Sequence, residues 1–226
     1  MKLDQPTLLA AALKVFAQAG LEGATMRAIA KEAGCDVSLL YYYFANKEAV
    51  FSAVLDQRMP PMVRALRELA HPRDRRSTAE KLWTVLQLFH VRAADGGLRS
   101  LIRQQIGRGP DNLSELVTRK LLPAQTAMRL IVRRGQRRGE LRPELNPLLV
   151  VVFLVRMEVE LLDLVPAYAP RMTGVAPELA LASAERTWFE VFWRGIAAEP
   201  LLPLPFLPPR APLPAAAARP SSRTDA

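Results

Sequence analysis

An all-α fold is predicted for this 226-residue chain by three observations. Apolar residues recur at helical spacing from Leu8 to Ile196, and no segment shows the strict alternation of a half-buried strand. Glycine and proline punctuate those stretches at Gly20, Gly34, Gly96-Gly97, Gly109-Pro110, Gly139 to Pro143 and Pro166 to Pro177, where helices are expected to stop. Half of the residues are hydrophobic, enough for a substantial core. The expected organisation is an N-terminal three-helix domain with a helix-turn-helix over 1–46, a larger helical domain over 47–199, and a Pro/Ala-rich tail over 200–226, expected to be disordered.

In chain order, Leu8, Leu9, Ala12, Leu13, Val15 and Phe16 give an amphipathic first helix that Gly20 ends. Thr25 caps the second, whose apolar stripe of Ile29, Ala30 and Ala33 stops at Gly34, a residue able to take a left-handed cap. Asp36 caps the third, in which Leu40 and Phe44 share a face at i, i+4 and pack inward. Two short helices hinged at a glycine, the second dense in tyrosine, read as a helix-turn-helix that offers its second helix to DNA. Tyr41, Tyr42 and Tyr43 cannot all point inward from one helix, although core packing of one, Tyr41 first, stays open. Asn46 then caps a helix with Val50, Val54 and Leu55 inward, expected to run to Pro60-Pro61 and to connect the domains.

Further helices are expected over 79–94, 98–107, 112–138 with a kink or split at Pro123, 146–165 and 177–197. The helix over 146–165 is apolar around nearly its whole circumference, and 177–197 ends in Trp188, Phe189, Phe192, Trp193 and Ile196. Such surfaces form either the core of a monomer or an interface with the same pair from a second subunit. Leu149, Phe153, Trp188 and Phe192 are the candidate interface residues. From Pro200 the proline density rules out a continuing helix, while Leu201 to Leu207 is apolar enough to lie against the body.

The net charge of +9 does not sit on the proposed DNA reader. Residues 1–47 hold five cations, Lys2, Lys14, Arg27, Lys31 and Lys47, against four anions, Asp4, Glu22, Glu32 and Asp36. Much of the excess lies in Arg129, Arg133, Arg134, Arg137, Arg138 and Arg142, where it complements the C-terminal dipole of a helix ending near Gly139. Cys35, the single cysteine, excludes an intrachain disulfide, and with His71 and His90 distant from it no metal-ligand spacing exists. With no nucleophile-base constellation, phosphate loop or cofactor motif, an enzyme is disfavoured and no cofactor is expected. The longest dense apolar run, Leu148 to Val155, is far short of the ~20 residues a bilayer demands, and no basic leader precedes Leu8 to Leu13. A cytoplasmic protein without a membrane partner is expected.

With Leu8 to Phe16, Gly20, Thr25, Ile29-Ala30, Ala33-Gly34, Leu40-Tyr41 and Phe44 to Lys47 in place, the first ~50 residues closely resemble the DNA-binding domain of the tetracycline-repressor (TetR) family. Gly135 to Pro147 also resembles the connection before that family's penultimate long helix. The resemblance implies an all-helical homodimer with a DNA reader on each subunit and a C-terminal ligand-binding and dimerisation domain. It implies that Thr25 and Arg27 touch backbone phosphate and that Val37, Ser38 and Leu39 face base edges. It implies too that Tyr41, Tyr42, Tyr43 and Lys47 approach phosphates or bases. Cys35 stands where valine is usual and is read as a small hydrophobe; Val37 and Leu39 are apolar where polar readers are frequent, so readout leans on Ser38, the tyrosines and DNA shape.

The function this predicts is a ligand-responsive transcriptional regulator, a repressor, that binds a palindromic double-stranded DNA operator as a homodimer. The expected effector is small and mainly apolar with one polar or anionic group; Trp83, Phe89, His90, Arg103, Met128, Arg156 and Met157 are the pocket candidates. The competing reading keeps the DNA reader but makes the helical body a docking site for a protein partner, as in an architectural or division-linked factor.

Overall fold

The computed structural model describes residues 4–93, 100, 115–199 and 204–207, and of 90–93 and 115–120 the backbone alone. Among them run eight helices: α1 (Gln5–Gly23), α2 (Met26–Ala33), α3 (Val37–Tyr43), α4 (Lys47–Leu69), α5 (Thr78–Ala93), α6 (Glu115–Arg137), α7 (Pro147–Thr173) and α8 (Pro177–Ile196). The extended backbone of the described residues pairs in one isolated bridge, Leu141 with Ala197. The helix expected over 98–107 lies outside the described residues except for Ser100, whose hydroxyl donates to the Ala17 carbonyl at 2.8 Å.

Asp4 caps α1 by accepting from the Thr7 amide at 3.1 Å, and Leu8, Ala12 and Phe16 on its inner stripe are sealed from solvent. Helical geometry breaks at Gly20, with φ 71° and ψ 179°, before one further turn to Gly23. Phe16 meets Phe51 of α4 edge-to-face with centroids 5.1 Å apart, so α4 is seated on α1 through two buried rings. The reading helices and the body are thereby joined through one continuous element.

Three helices run through prolines at which the sequence places an end or, at Pro123, a kink or split. α4 continues past Pro60 and Pro61 because Met59, Met62, Leu66 and Leu69 extend its buried stripe, and that burial outweighs two lost backbone donors. α6 continues through Pro123, its following residues Ala124, Ala127, Met128 and Ile131 all buried. α7 runs eight residues past the expected end at 165, through Pro166 and Pro170, until Gly174 takes a left-handed cap at φ 68° and donates to the Pro170 carbonyl.

The body is stitched at the start of α5. Ser77 and Glu80 cap it reciprocally, the Ser77 amide donating to the Glu80 carboxylate at 2.8 Å and the Glu80 amide to the Ser77 hydroxyl at 3.2 Å. Glu140, from the turn after α6, accepts from the buried Thr78 amide at 2.6 Å and pairs with Arg138 at 2.8 Å. Thr78 approaches Gly135 so closely that a β-carbon there would lie 2.7 Å from its hydroxyl oxygen, so α5 and α6 can meet at this level only over a glycine. Reciprocal bonds from Arg142 to the Ile196 carbonyl and from Ala198 to the Glu140 carbonyl tie the same turn to the end of α8.

Within the tail, the described residues 204–207 lie against the body, the arrangement that the apolar run Leu201 to Leu207 allows. Leu204 and Leu207 are 7% and 6% exposed and belong to the main core, and the Phe206 ring lies 6.4 Å from that of Phe189. Proline there excludes a helix without preventing the leucines between prolines from packing.

Candidate nucleic-acid interface

The turn between α2 and α3 is built from side-chain caps on one side and a glycine on the other. The Thr25 hydroxyl accepts from the Ala28 amide at 3.1 Å, opening α2, and Gly34 ends it in the left-handed region at φ 67°. The Gly34 and Cys35 amides turn back to the last carbonyls of α2, and the Asp36 carboxylate accepts from the Ser38 amide at 2.8 Å to start α3. Hydrogen bonds from Ser38 hold the Asp36 carboxyl below the usual carboxylate range, so the cap is charged at neutral pH. Ile29 and Leu40, both fully buried, anchor the two helices in the core they share with α1.

That anchoring decides what faces outward. Tyr41, Tyr42 and Tyr43 are 55%, 81% and 41% exposed, so Tyr41 does not take the core position left open for it. The Tyr42 and Tyr43 rings meet edge-to-face at 5.1 Å. Thr25, Arg27 and Ser38 are exposed; Leu39 is half-buried, and Val37 leans on the core as Cys35 does. Burial and the neighbouring Asp36 push the Cys35 thiol up, which favours the unreactive thiol over the thiolate. Lys47, at the first position of α4, donates to the Glu22 carbonyl at 3.0 Å and so ties the α4 start to the end of α1. Lys14 pairs with Glu32 at 3.2 Å, which leaves the cationic character of this surface to Arg27, Lys31 and Lys47.

Five of the residues expected to line an effector pocket have described side chains. Arg103 and the side chain of His90 lie outside the described residues. Met128 is packed in the core, Trp83 stacks edgewise on Phe189 at 5.2 Å, and Phe89 is half-buried against the same core. Arg156 and Met157 are corrected to the outer side of α7, because Leu154, Glu158 and Leu162 carry its inner stripe; Arg156 pairs with Glu160 at 3.2 Å. Of the expected interface residues, Leu149 and Phe153 are 52% and 63% exposed and Trp188 is half-buried. Phe192 lies in the subunit's own core, since α8 turns it toward the Phe189 and Trp188 rings.

A buried acid pair escaped the sequence reading. Glu158 on α7 is fully buried and its carboxyl oxygens meet no N–H donor, while Glu185 of α8, 4% exposed, faces it. Burial first, then the Glu185 charge, pushes the Glu158 carboxyl up to about 9, so at neutral pH it keeps its proton. The signal was legible: Glu158 lies at i±4 from Leu154 and Leu162, and Glu185 at i±4 from Leu181 and Phe189, on otherwise apolar stripes.

Among the described residues, no group of three or more His, Cys, Asp or Glu could hold a metal ion, and no helix is long and apolar enough to cross a membrane. Residues 8–54 match the model of the bacterial regulatory proteins of the tetR family. No curated protein sequence matches the chain. Among solved structures, the fatty acid degradation regulator FadR from Bacillus halodurans is 20% identical and superposes with a TM-score of 0.65 over 86% of this chain and 98% of its own. The transcriptional regulator FadR from Bacillus subtilis, in complex with stearoyl-CoA, is 21% identical, with a TM-score of 0.65 over 85% of this chain and 100% of its own. SmeT, the repressor of the Stenotrophomonas maltophilia multidrug efflux pump SmeDEF, is 20% identical, with a TM-score of 0.60 over 93% of this chain and 98% of its own. At these identities the likeness to solved structures speaks for the fold. The match over 8–54 falls on the segment whose caps and exposed tyrosines were described above, and it makes that segment similar to the DNA-binding part of the tetR-family regulatory proteins.

Proposed function

We propose that the chain is a homodimeric repressor that reads a palindromic operator with α3 and releases it when a small, largely apolar effector binds the helical body. The observation that carries the reading is the outward display of three consecutive tyrosines on a capped seven-residue helix, next to Arg27 and Lys47. Phenol hydroxyls donate to phosphate oxygens and their rings cover sugar or thymine methyls, while Thr25, Arg27 and Lys47 set the register on the backbone. Val37, Ser38 and Leu39, in the first turn of α3, meet base edges. In this reading residues 1–46 form the reading head and 47–199 the effector-binding and dimerisation unit, with α4 belonging structurally to both. SmeT has been solved with triclosan and the Bacillus subtilis FadR with stearoyl-CoA, which supports an apolar or amphipathic effector for this fold.

The test is competition titration of operator against random DNA at several salt concentrations. Tyr42→Ala, at an 81% exposed site, leaves the thermal midpoint unchanged but weakens operator binding by about tenfold and narrows the gap to random DNA. Lys47→Ala weakens both DNAs alike and reduces the salt slope by about one unit per lost phosphate contact on each subunit. Equal effects of the two variants on specificity would overturn the division of roles.

A further inference from the structure

A groove runs along the C-terminal half of α4, over the α4–α5 turn and onto α6. Its α6 side is a cavity of about 490 Å³ between Arg67, His71 and the face of α6 that carries Leu122, Ala127 and Leu130, with Arg134 at its far end. A second hollow of about 750 Å³ shares Arg67 and His71 and continues along α4 past Arg64. The first volume lies in the range of small-molecule sites. Its floor is apolar, and Leu122 is left 51% exposed there. One terminal guanidinium nitrogen of Arg134 is sealed from solvent without a hydrogen-bond acceptor among the described residues. Of the carboxylates that line the wider groove, Glu68 and Asp74, Asp74 is already held by the Arg76 guanidinium and by Lys81 at 3.6 Å. An apolar trough, a buried nitrogen donor and an excess of arginine at the rim describe one chemistry of occupant.

We propose that this α4–α6 groove binds an amphipathic anion, an apolar chain whose carboxylate or phosphate is held by Arg67 and Arg134 while the chain lies on Leu122, Ala127 and Leu130. The inference rests on the regulatory reading above and gives it a ligand class and a place. One wall of the groove is α4, whose other end sits against α1 and follows directly from α3. An occupant bridging α4 to α6 therefore has a means of preferring one position of α4 over another, which is the differential affinity a ligand needs to shift an equilibrium.

Calorimetric titration of the full chain, below the micellar limit, with dodecanoate, dodecyl phosphate, dodecanoyl-CoA, dodecanol and dodecyltrimethylammonium tests this, with operator binding followed separately. The expected result is saturable binding of at least one anion, at least about tenfold tighter than of dodecanol or the ammonium. The order among carboxylate, phosphate and CoA thioester identifies the head group. Arg67→Glu and Leu122→Asp, both at exposed sites, each weaken that binding by about tenfold while preserving helix content and thermal midpoint. Arg134→Gln is the matching change at the buried end, and its loss of binding counts if the midpoint is kept. Binding that ignores head-group charge, or anion binding unchanged in both Arg67→Glu and Leu122→Asp, would overturn the proposal. Because the titration contains no DNA, a protein that binds the anion but no operator would overturn the regulatory reading alone. One that binds operator but fails the titration would overturn the groove alone.

Discussion

A carboxyl group closed between α7 and α8 makes Glu158 a stability determinant with a definite pH sign. In the folded chain it keeps its proton up to about 9, and in the unfolded chain it loses it near 4.5. Between those values the native state binds more protons than the unfolded one, so stability falls as pH rises, by at most about 1.4 kcal/mol per pH unit. Below 4.5 both states are protonated and the contribution vanishes. Glu158→Gln puts an amide N–H where the acid has its O–H, so a donor toward Glu185 is kept and the titration is removed. The variant is expected to melt higher than the parent at pH 8, by a margin that shrinks through pH 6.5 and disappears toward pH 4.5. Thermal midpoints of both proteins at four pH values check this, and an offset independent of pH would show that the pair does not titrate in that window. The acids on apolar stripes are visible in the sequence, but that α7 and α8 turn them toward each other is a tertiary fact that no local spacing contains.

Legibility at the scale of elements followed the origin of each signal. The caps at Thr25, Asp36, Asn46 and Asn146 and the left-handed glycine at Gly34 act within a few residues, and sequence reading located the first three caps and the glycine because the physics is local. Pro60, Pro61 and Pro166 misled it because a proline's local cost can be offset by burial contributed from elsewhere, as at Met62 and Leu66. The pocket candidates were the least legible part, since helix periodicity says which side of α7 is apolar without saying which neighbour covers it. The same competition governs the tail. Leu204 and Leu207 are buried in the core although prolines surround them, and Phe206 leans on Phe189. Leu204→Ala and Leu207→Ala are each expected to destabilise the fold by about 2 kcal/mol or more, the range for a buried leucine. Chain truncation after Ala198 should lower the melting temperature further than either. Denaturant titration of the three proteins measures it, and a truncated chain as stable as the parent would show that these leucines contribute nothing.

At the scale of the whole molecule, α7 leaves a long apolar stripe uncovered. Leu149, Phe153, Met157, Leu164, Tyr168 and Met172 follow helical spacing along the outer side of α7, all more than a third exposed, and Val191 of α8 is 61% exposed as well. Soluble monomers rarely show large contiguous apolar patches, and a two-fold axis beside α7 and α8 would cover this one with its own copy. Such a dimer would also give the reading heads a fixed separation, as operators with two half-sites require. Phe192 drops out of that surface because it is spent on the subunit's own core, and Phe153 becomes its test. Since Phe153 points away from Leu154 and Glu158, Phe153→Glu should leave each subunit folded while charging the centre of the stripe. Sedimentation at micromolar concentration is expected to show a dimer for the parent and a monomer for the variant, with helix content unchanged by circular dichroism. Operator affinity should then fall by orders of magnitude, because two independent heads no longer share one binding event, whereas weak binding to random DNA persists. A variant that stays dimeric would move the interface off α7, and a parent that is monomeric yet holds its operator tightly would remove the need for one.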